Sequence, residues 1–334
     1  MSRRDAIAAG VAAGALAVSG AKAADIPVGA LAPGIRIKPD REEMVPVPGG
    51  RVYVRINGDL RGDNPPIVML HGGPGSSHWY FLNATALAGD RAVILYDQLD
   101  SGRSDRPGDP GNWMVLRFVE ELEAIRGFLG VERWHVLGAS WGGTVALEYG
   151  ALNQKRLASL ILQSALIDTA TWLRDARKLK DAMPADIRRL LDLCDTPAAA
   201  PQADCDAATA AFDRTYVRMM DPPREIADYK AALPVSFSPD IYTHMWGRAE
   251  FSASGTLRDY DGTPLLTRLN GERTLFVAGE HDEAIPDTVE AYAARVPGAH
   301  FSEIRGAAHS IMNDNPIAFL ALLRWWLAQN DKEA

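Results

Sequence analysis

The sequence has no basic cluster and no internal repeat, carries only two cysteines, and begins with an apolar run too short to cross a membrane. Each lack excludes something. A formal net charge of -8 with no grouped Lys or Arg lacks the electrostatic footprint of a nucleic-acid binder. A repeat architecture is ruled out by the missing self-similarity. The run from Ala6 to Val18 is weakly apolar, and spanning a bilayer takes about 20 such residues. Cys194 and Cys205 leave two readings open, one disulfide or two free surface thiols. What remains is a chain of 334 residues, 47% hydrophobic and 23% charged. That is enough for one large α/β domain with an inserted subdomain.

The first 23 residues differ from the rest. Ser2-Arg3-Arg4-Asp5 is a twin-arginine start, and Ala21-Lys22-Ala23 offers an A-x-A cleavage site. Residues 1–23 are therefore expected to be an export signal of the twin-arginine type, which carries folded proteins. No cysteine follows the cleavage site, which argues against a lipid anchor. The expected mature chain starts near Ala24 in a bacterial periplasm, with no stable membrane association once the signal is removed. In that oxidising compartment a Cys194–Cys205 disulfide would stabilise by about 2–3 kcal/mol.

From Met44 the pattern is strand after strand. Met44–Val47 and Arg51–Ile56 flank Pro48-Gly49-Gly50 and read as a hairpin. Pro66–Leu70 and Ala92–Tyr96 are continuous apolar runs of the kind found in strands covered on both faces. Helical periodicity follows from Val115 to Leu129, with Leu116, Val119, Leu122, Ile125 and Leu129 assigned to one face. The strand Trp134–Leu137, a helix from Gly143 to Tyr149 and the strand Leu157–Gln163 come next. The alternation lapses between Asp168 and about Gly262, where the chain looks helical, with an Ala-rich piece at Thr196–Ala210. It resumes with strand Thr274–Ala278, helix Asp287–Arg295, strand His300–Ile304 and helix Pro316–Gln329. The expected fold is a mostly parallel, doubly wound α/β sheet with an inserted helical cap. Core segments are expected at 24–166 and 263–334, with the cap at 167–262 roofing the strand ends where ligands bind.

Gly138-Ala139-Ser140-Trp141-Gly142 reads G-x-S-x-G between a strand and a helix. In that context it is a nucleophile elbow, a sharp turn that presents the serine hydroxyl clear of the sheet. A serine at neutral pH needs a base, and the base needs a carboxylate to orient it. Among seven histidines, His309 lies in a loop after the last strand and before the last helix, where an α/β-hydrolase carries its base. Asp282, just beyond the strand Thr274–Ala278, is the favoured carboxylate, with Glu280 and Glu283 as rivals and His281 as a bystander. The order Ser140, Asp282, His309 suits the fold. Oxyanion donors are expected from the Trp141 N–H and from the loop His71-Gly72-Gly73-Pro74-Gly75.

Taken together, His71–Gly75, Tyr96-Asp97-Gln98 with Ser101-Gly102-Arg103-Ser104, and Gly138–Gly143 resemble the proline iminopeptidases and related L-amino-acid amidases. The resemblance runs through the mature chain and is densest in the core. It implies an α/β-hydrolase acting on small substrates or short peptides with a free N-terminal amine, with no cofactor and no metal. It also implies Gly73 and Trp141 as the oxyanion donors. The segment Met245-Trp246-Gly247-Arg248-Ala249-Glu250-Phe251 is similar to the family's M-x-G-P-x-E-F stretch, so Glu250 takes the position that holds the substrate's α-ammonium. Two residues depart from the pattern. Asp100 stands where the family commonly has glycine, and Asp tolerates a left-handed backbone better than most residues, while Arg248 replaces the proline beside Glu250.

The leading expectation is a serine aminopeptidase or amidase working through an acyl-enzyme. An esterase or lactonase using the same triad on substrates without a free amine is the alternative, and a non-catalytic binding protein on the same fold is the third reading. Acid at the elbow would mark a haloalkane dehalogenase or epoxide hydrolase, and Ser140 excludes that. Acyl specificity and oligomeric state are not encoded in any of these motifs.

Overall fold

The chain opens its sheet with a hairpin because Pro48-Gly49 breaks two β-prone runs, and Gly49 takes the φ of 92° that the tight turn needs. The computed structural model describes residues 29–194 and 200–332. The expected export signal at 1–23 lies outside them.

In chain order come β1 (Arg41–Val47), β2 (Gly50–Asn57), β3 (Ile67–Leu70), β4 (Val93–Tyr96), α1 (Val115–Leu129), β5 (Trp134–Ala139), α2 (Trp141–Leu152) and β6 (Leu157–Gln163). The cap follows with α3 (Thr169–Ala182), α4 (Ala185–Cys194), α5 (Gln202–Phe212), α6 (Arg224–Ala231), α7 (Pro239–Met245) and a small ribbon, β7 (Gly247–Ala249) and β8 (Ser252–Ala253). The core then resumes with β9 (Thr274–Gly279), α8 (Pro286–Ala293), β10 (His300–Ile304), α9 (Ile311–Asp314) and α10 (Pro316–Asn330).

Eight strands form one sheet in the order β1-β2-β4-β3-β5-β6-β9-β10. Pairings β1–β2 and β2–β4 are antiparallel and the rest are parallel. Central strands bury both faces, which is why their sequences are unbroken apolar runs. Val68, Leu70, Ile94, Tyr96 and Val136 pack with α1, α2 and α8, whereas Ile67, Met69, Val93, Leu95 and Leu137 pack with α10 on the other face. Alternation at a period of two sends neighbours to opposite layers.

Helix α1 keeps its expected limits but turns a different side inward. Phe118, Val119, Leu122 and Ile125 are buried, whereas Leu116 is 58% exposed. Residues spaced three apart drift round a 3.6-residue helix, so Leu116 and Ile125 cannot share one face. Helix α2 starts at Trp141, two residues before the sequence pattern placed it.

The cap leaves the sheet after β6 and returns before β9. Its two ends are stitched together, with the Thr169 N–H donating to the Tyr260 carbonyl at 3.0 Å and the Gly262 N–H to Ile167 at 2.8 Å. Cys194 and Cys205 are joined in a disulfide across the connection from α4 to α5. Those helices enclose a small apolar cluster of Met183, Leu191, Ala208 and Phe212, against which Phe251 packs. The β7–β8 ribbon was not expected in a helical cap, and Glu250 and Phe251 form its turn. Among the described residues no helix is long and apolar enough to cross a membrane.

Candidate active site

Ser140 links β5 to α2 with φ 56° and ψ -124°. That left-handed conformation costs a non-glycine residue about 1–3 kcal/mol and persists only where the surroundings over-determine it. Here the Ser140 N–H donates to the Gln163 carbonyl at 3.0 Å, and its own carbonyl accepts from Gly143 at 2.8 Å and Leu166 at 3.2 Å. The flanking glycines are a packing requirement. A Cβ on Gly138 would stand 2.1 Å from the Gly142 carbonyl oxygen, and one on Gly142 would stand 2.2 Å from that of Leu70. Helix α2 begins at the next residue, so its positive end lies beneath Ser140.

His309 and Ser140 line the same cavity. The His309 Nδ1 lies 2.8 Å from Asp282 Oδ1, so with that nitrogen protonated the carboxylate fixes the tautomer and leaves Nε2 free to accept a proton. Asp282 is itself held by three donors: Ser164 Oγ at 2.5 Å, Gly279 N–H at 2.9 Å and Ala284 N–H at 2.9 Å. Ser164 adopts φ 49°, a second left-handed residue at the end of β6. Burial works against a charged His309 ring. The charge and hydrogen bond of Asp282, with Glu250 and Asp314 behind, more than offset it and place the imidazole above the ordinary histidine value. The rival acids go elsewhere. Glu280 accepts the Gly306 N–H near the surface, and Glu283 is buried on the other side of the ring, its Oε1 3.6 Å from His309 Nε2. His281 is exposed.

The loop His71–Gly75 lies directly over the elbow, where a Cβ on Gly72 would come within 2.9 Å of Ser140 Cβ. Gly73 lines the cavity with φ 110°. Trp141 buries its indole, while its backbone N–H is the first of α2 and has no partner within the helix. Gln98, seen in the sequence only as part of a motif, ties the His71–Gly75 loop to Trp141. Its Nε2 donates to the His71 carbonyl at 2.7 Å, and its Oε1 accepts the Trp141 indole N–H at 2.9 Å. The Gln98 backbone N–H donates to His71 Nε2 at 3.0 Å. Burial lowers the His71 pKa to about 4, which keeps the ring neutral and that nitrogen able to accept.

Glu250 joins the same cavity from the β7–β8 turn. Tyr242 Oη donates to its Oε1 at 2.8 Å, and the Trp172 indole N–H donates to its carbonyl at 3.1 Å. Trp172 also meets the His309 ring edge-on at 5.8 Å, so one side chain braces both residues. Burial pushes the Glu250 carboxyl above the usual range, while His309 and the Tyr242 hydroxyl pull it back. Two further acids share this field. Glu283 is 3% exposed and neither of its oxygens accepts a hydrogen bond. Burial, then the charges of Glu250, Asp282 and Asp213, push it well above the usual carboxylate value. Asp213 is pushed up to about 6 by burial and Glu250. No sequence pattern marks Asp213, and Glu283 had been weighed only as a triad carboxylate.

The two departures resolve differently. Asp100 has φ 64°, and its carboxylate accepts from Gly108 N–H at 2.8 Å and the Trp113 indole at 2.7 Å. The side chain thus supplies bonds that glycine could not. Arg248 is exposed and does not line the cavity. His135 is a core residue between Ser159 and Asp331, held neutral by burial with a pKa of about 4. Among the described residues no group of three or more His, Cys, Asp or Glu is arranged to hold a metal ion.

This fold, with its serine elbow, histidine loop and carboxylate beyond the ends of the parallel strands β5, β10 and β9, defines a serine hydrolase of the α/β-hydrolase class. The family model for the alpha/beta hydrolase fold matches residues 65–316. A proline iminopeptidase from Heyndrickxia coagulans is 35% identical over 283 residues, covering 84% of this chain and 96% of that protein. One from Levilactobacillus brevis is 34% identical over 87% of this chain and 98% of its own length. The crystal structure of proline iminopeptidase from Mycobacterium smegmatis superposes with a TM-score of 0.77 at 32% identity, covering 87% of this chain and 99% of that one. The chain belongs to the proline iminopeptidase family of α/β-hydrolases.

Replacing Gln98 with leucine removes both ties between the His71 loop and Trp141. The expected result is a fall in kcat of about 10- to 100-fold with KM little changed, measured by steady-state kinetics. An unchanged kcat would show that the two donors are placed without it.

Proposed function

We propose that this protein is an aminopeptidase that removes an N-terminal residue, proline by preference, from short peptides, amides or arylamides. The observation that carries this reading is the placement of Glu250 in one cavity with Ser140 and His309. A carboxylate beside the nucleophile pairs with an α-ammonium and thereby sets which carbonyl faces Ser140. Glu283 supports it as a second acid: two buried oxygens without a hydrogen-bond donor are suited to a cation that arrives with the substrate.

In this mechanism Ser140 Oγ attacks the carbonyl of the N-terminal residue while His309 Nε2 takes its proton. Asp282 holds Nδ1–H and stabilises the imidazolium. The N–H groups of Gly73 and Trp141 stabilise the oxyanion. Collapse expels the amine, which takes the proton from His309. Water then attacks the acyl-enzyme with His309 again as base, releasing the free amino acid and restoring Ser140.

Ser140→Ala is expected to abolish release of arylamine from a prolyl-arylamide, and retained turnover would remove Ser140 from the role. Glu250→Gln is expected to lose at least about tenfold more on that substrate than on a simple ester. Equal losses on both would favour an esterase instead.

The pH profile follows from the raised His309 pKa. The ring must be neutral to accept a proton, so the acid limb of kcat/KM should lie above the ordinary histidine value of about 6.5. Glu250 contributes to raising it, so Glu250→Gln should move the limb to lower pH on an ester. No movement would separate the two groups.

We further propose that the enzyme works in the periplasm. The twin-arginine start and cleavage pattern of residues 1–23 support this, as does the pairing of Cys194 with Cys205. Changing Arg3 and Arg4 to lysine should leave the protein in the cytoplasm with both thiols open to alkylation. Export undiminished by the change would reject the route.

A further inference from the structure

The cavity, about 540 Å³ in volume, is lined by side chains of both charges. Glu250 and Asp213 are its acids. Arg218 and Lys230 line the same space from the cap. Arg218 is the residue after the turn Asp213–Val217, and Lys230 is on α6.

These cations are not used up within the protein. Among the described residues the Arg218 guanidinium makes no hydrogen bond or ion pair, although Asp213 feels its charge. Lys230 has no carboxylate partner among them and stacks its ammonium 4.5 Å from the centre of the Trp79 ring. Burial, then the charge on Arg218, lowers the Lys230 pKa, so two cations are held near one another in a half-buried place. Arg214, on the same wall, is already paired with Asp221 at 3.2 Å. Like charges brought together favour an anion between them.

The charges of Glu250 and Arg218 both reach Asp213, and that of Arg218 also reaches Lys230. Trp79, under Lys230, packs on Tyr80, whose hydroxyl accepts the N–H of Gly72 beside the oxyanion loop. Gly72, Gly73, Trp79 and Tyr80 line the same cavity as Arg218 and Lys230. A substrate with its ammonium at Glu250 and its carbonyl at Ser140 therefore has its leaving group in a space that those two cations share.

We propose that Arg218 and Lys230 form a carboxylate-binding arm on the leaving-group side, making free dipeptides, with an ammonium at one end and a carboxylate at the other, the preferred substrates. An extended dipeptide is about 7 Å long, short enough for both termini to be held in one cavity. Arginine suits the planar carboxylate, and lysine adds a point charge. This deepens the aminopeptidase reading and rests on it for the position of the ammonium.

The test compares kcat/KM for prolyl-glycine with prolyl-glycinamide, which differ only in the terminal charge. The wild-type enzyme should favour the free acid by about 10- to 100-fold, and the ratio should shrink as salt is raised. In Arg218→Gln the ratio should fall toward one, with a smaller fall in Lys230→Gln. Equal use of acid and amide by the wild type, or a ratio untouched by both substitutions, overturns the arm. A second pair keeps this separate from the aminopeptidase reading: 4-acetoxybenzoate and its methyl ester carry no amine. If no prolyl substrate is turned over, the reading of Glu250 fails. Wild-type preference for the anionic ester, lost in Arg218→Gln, would still support the arm, and its absence would overturn that too.

Discussion

Everything in the site is referred to one strained turn. Ser140 is held left-handed by the Gln163 carbonyl on one side and by Leu166 and Gly143 on the other. Those same neighbours carry the rest of the machinery. Gln163 donates through its side chain to the His309 carbonyl at 3.1 Å, and the following residue, Ser164, donates to Asp282. The end of β6 therefore holds Ser140, His309 and Asp282 at once. Strain of this kind survives because tight packing at Gly138 and Gly142 leaves the chain no room to relax.

Two adjacent carboxylates show how environment divides labour. Asp282 accepts from a hydroxyl, two backbone N–H groups and His309. Glu283 is equally buried and accepts nothing, so its charge is costly until a cation arrives. The charge of Glu250 reaches both Glu283 and Asp213, so these buried acids oppose one another's ionisation.

The cap is wired into the catalytic loops. The Tyr216 carbonyl accepts the N–H of both Glu283 and His309 at 3.1 Å, and the Val217 carbonyl accepts that of Ser310 at 2.7 Å. Asp314 accepts the Ala308 N–H and, from the cap, those of Met219 and Met220. On the other side, the Ser238 N–H donates to Gly75 in the oxyanion loop at 2.7 Å. Asp97, in the Tyr96-Asp97-Gln98 motif, reaches the cap through His78 and the Tyr229 hydroxyl. Substrate specificity and catalytic geometry consequently share a framework.

Local chemistry was readable in the amino-acid order. Apolar runs without alternation imply strands buried on both faces, G-x-S-x-G between strand and helix implies a strained serine, and Asp at position 100 implies a left-handed turn, because each follows from interactions within a few residues. The face of α1 was misread because spacing by three drifts around the helix, and the β7–β8 ribbon went unseen because two short strands have no periodicity to detect. What the tertiary structure alone decided is long-range. It chose Asp282 over Glu280 and Glu283 as the partner of His309, turned Arg248 out of the cavity, and joined Gln98 to His71 and Trp141. It also gathered Glu250, Asp213, Arg218 and Lys230 around one cavity. Charges far apart in sequence acquire meaning only when burial lowers the dielectric around them, and burial is a property of the packed chain.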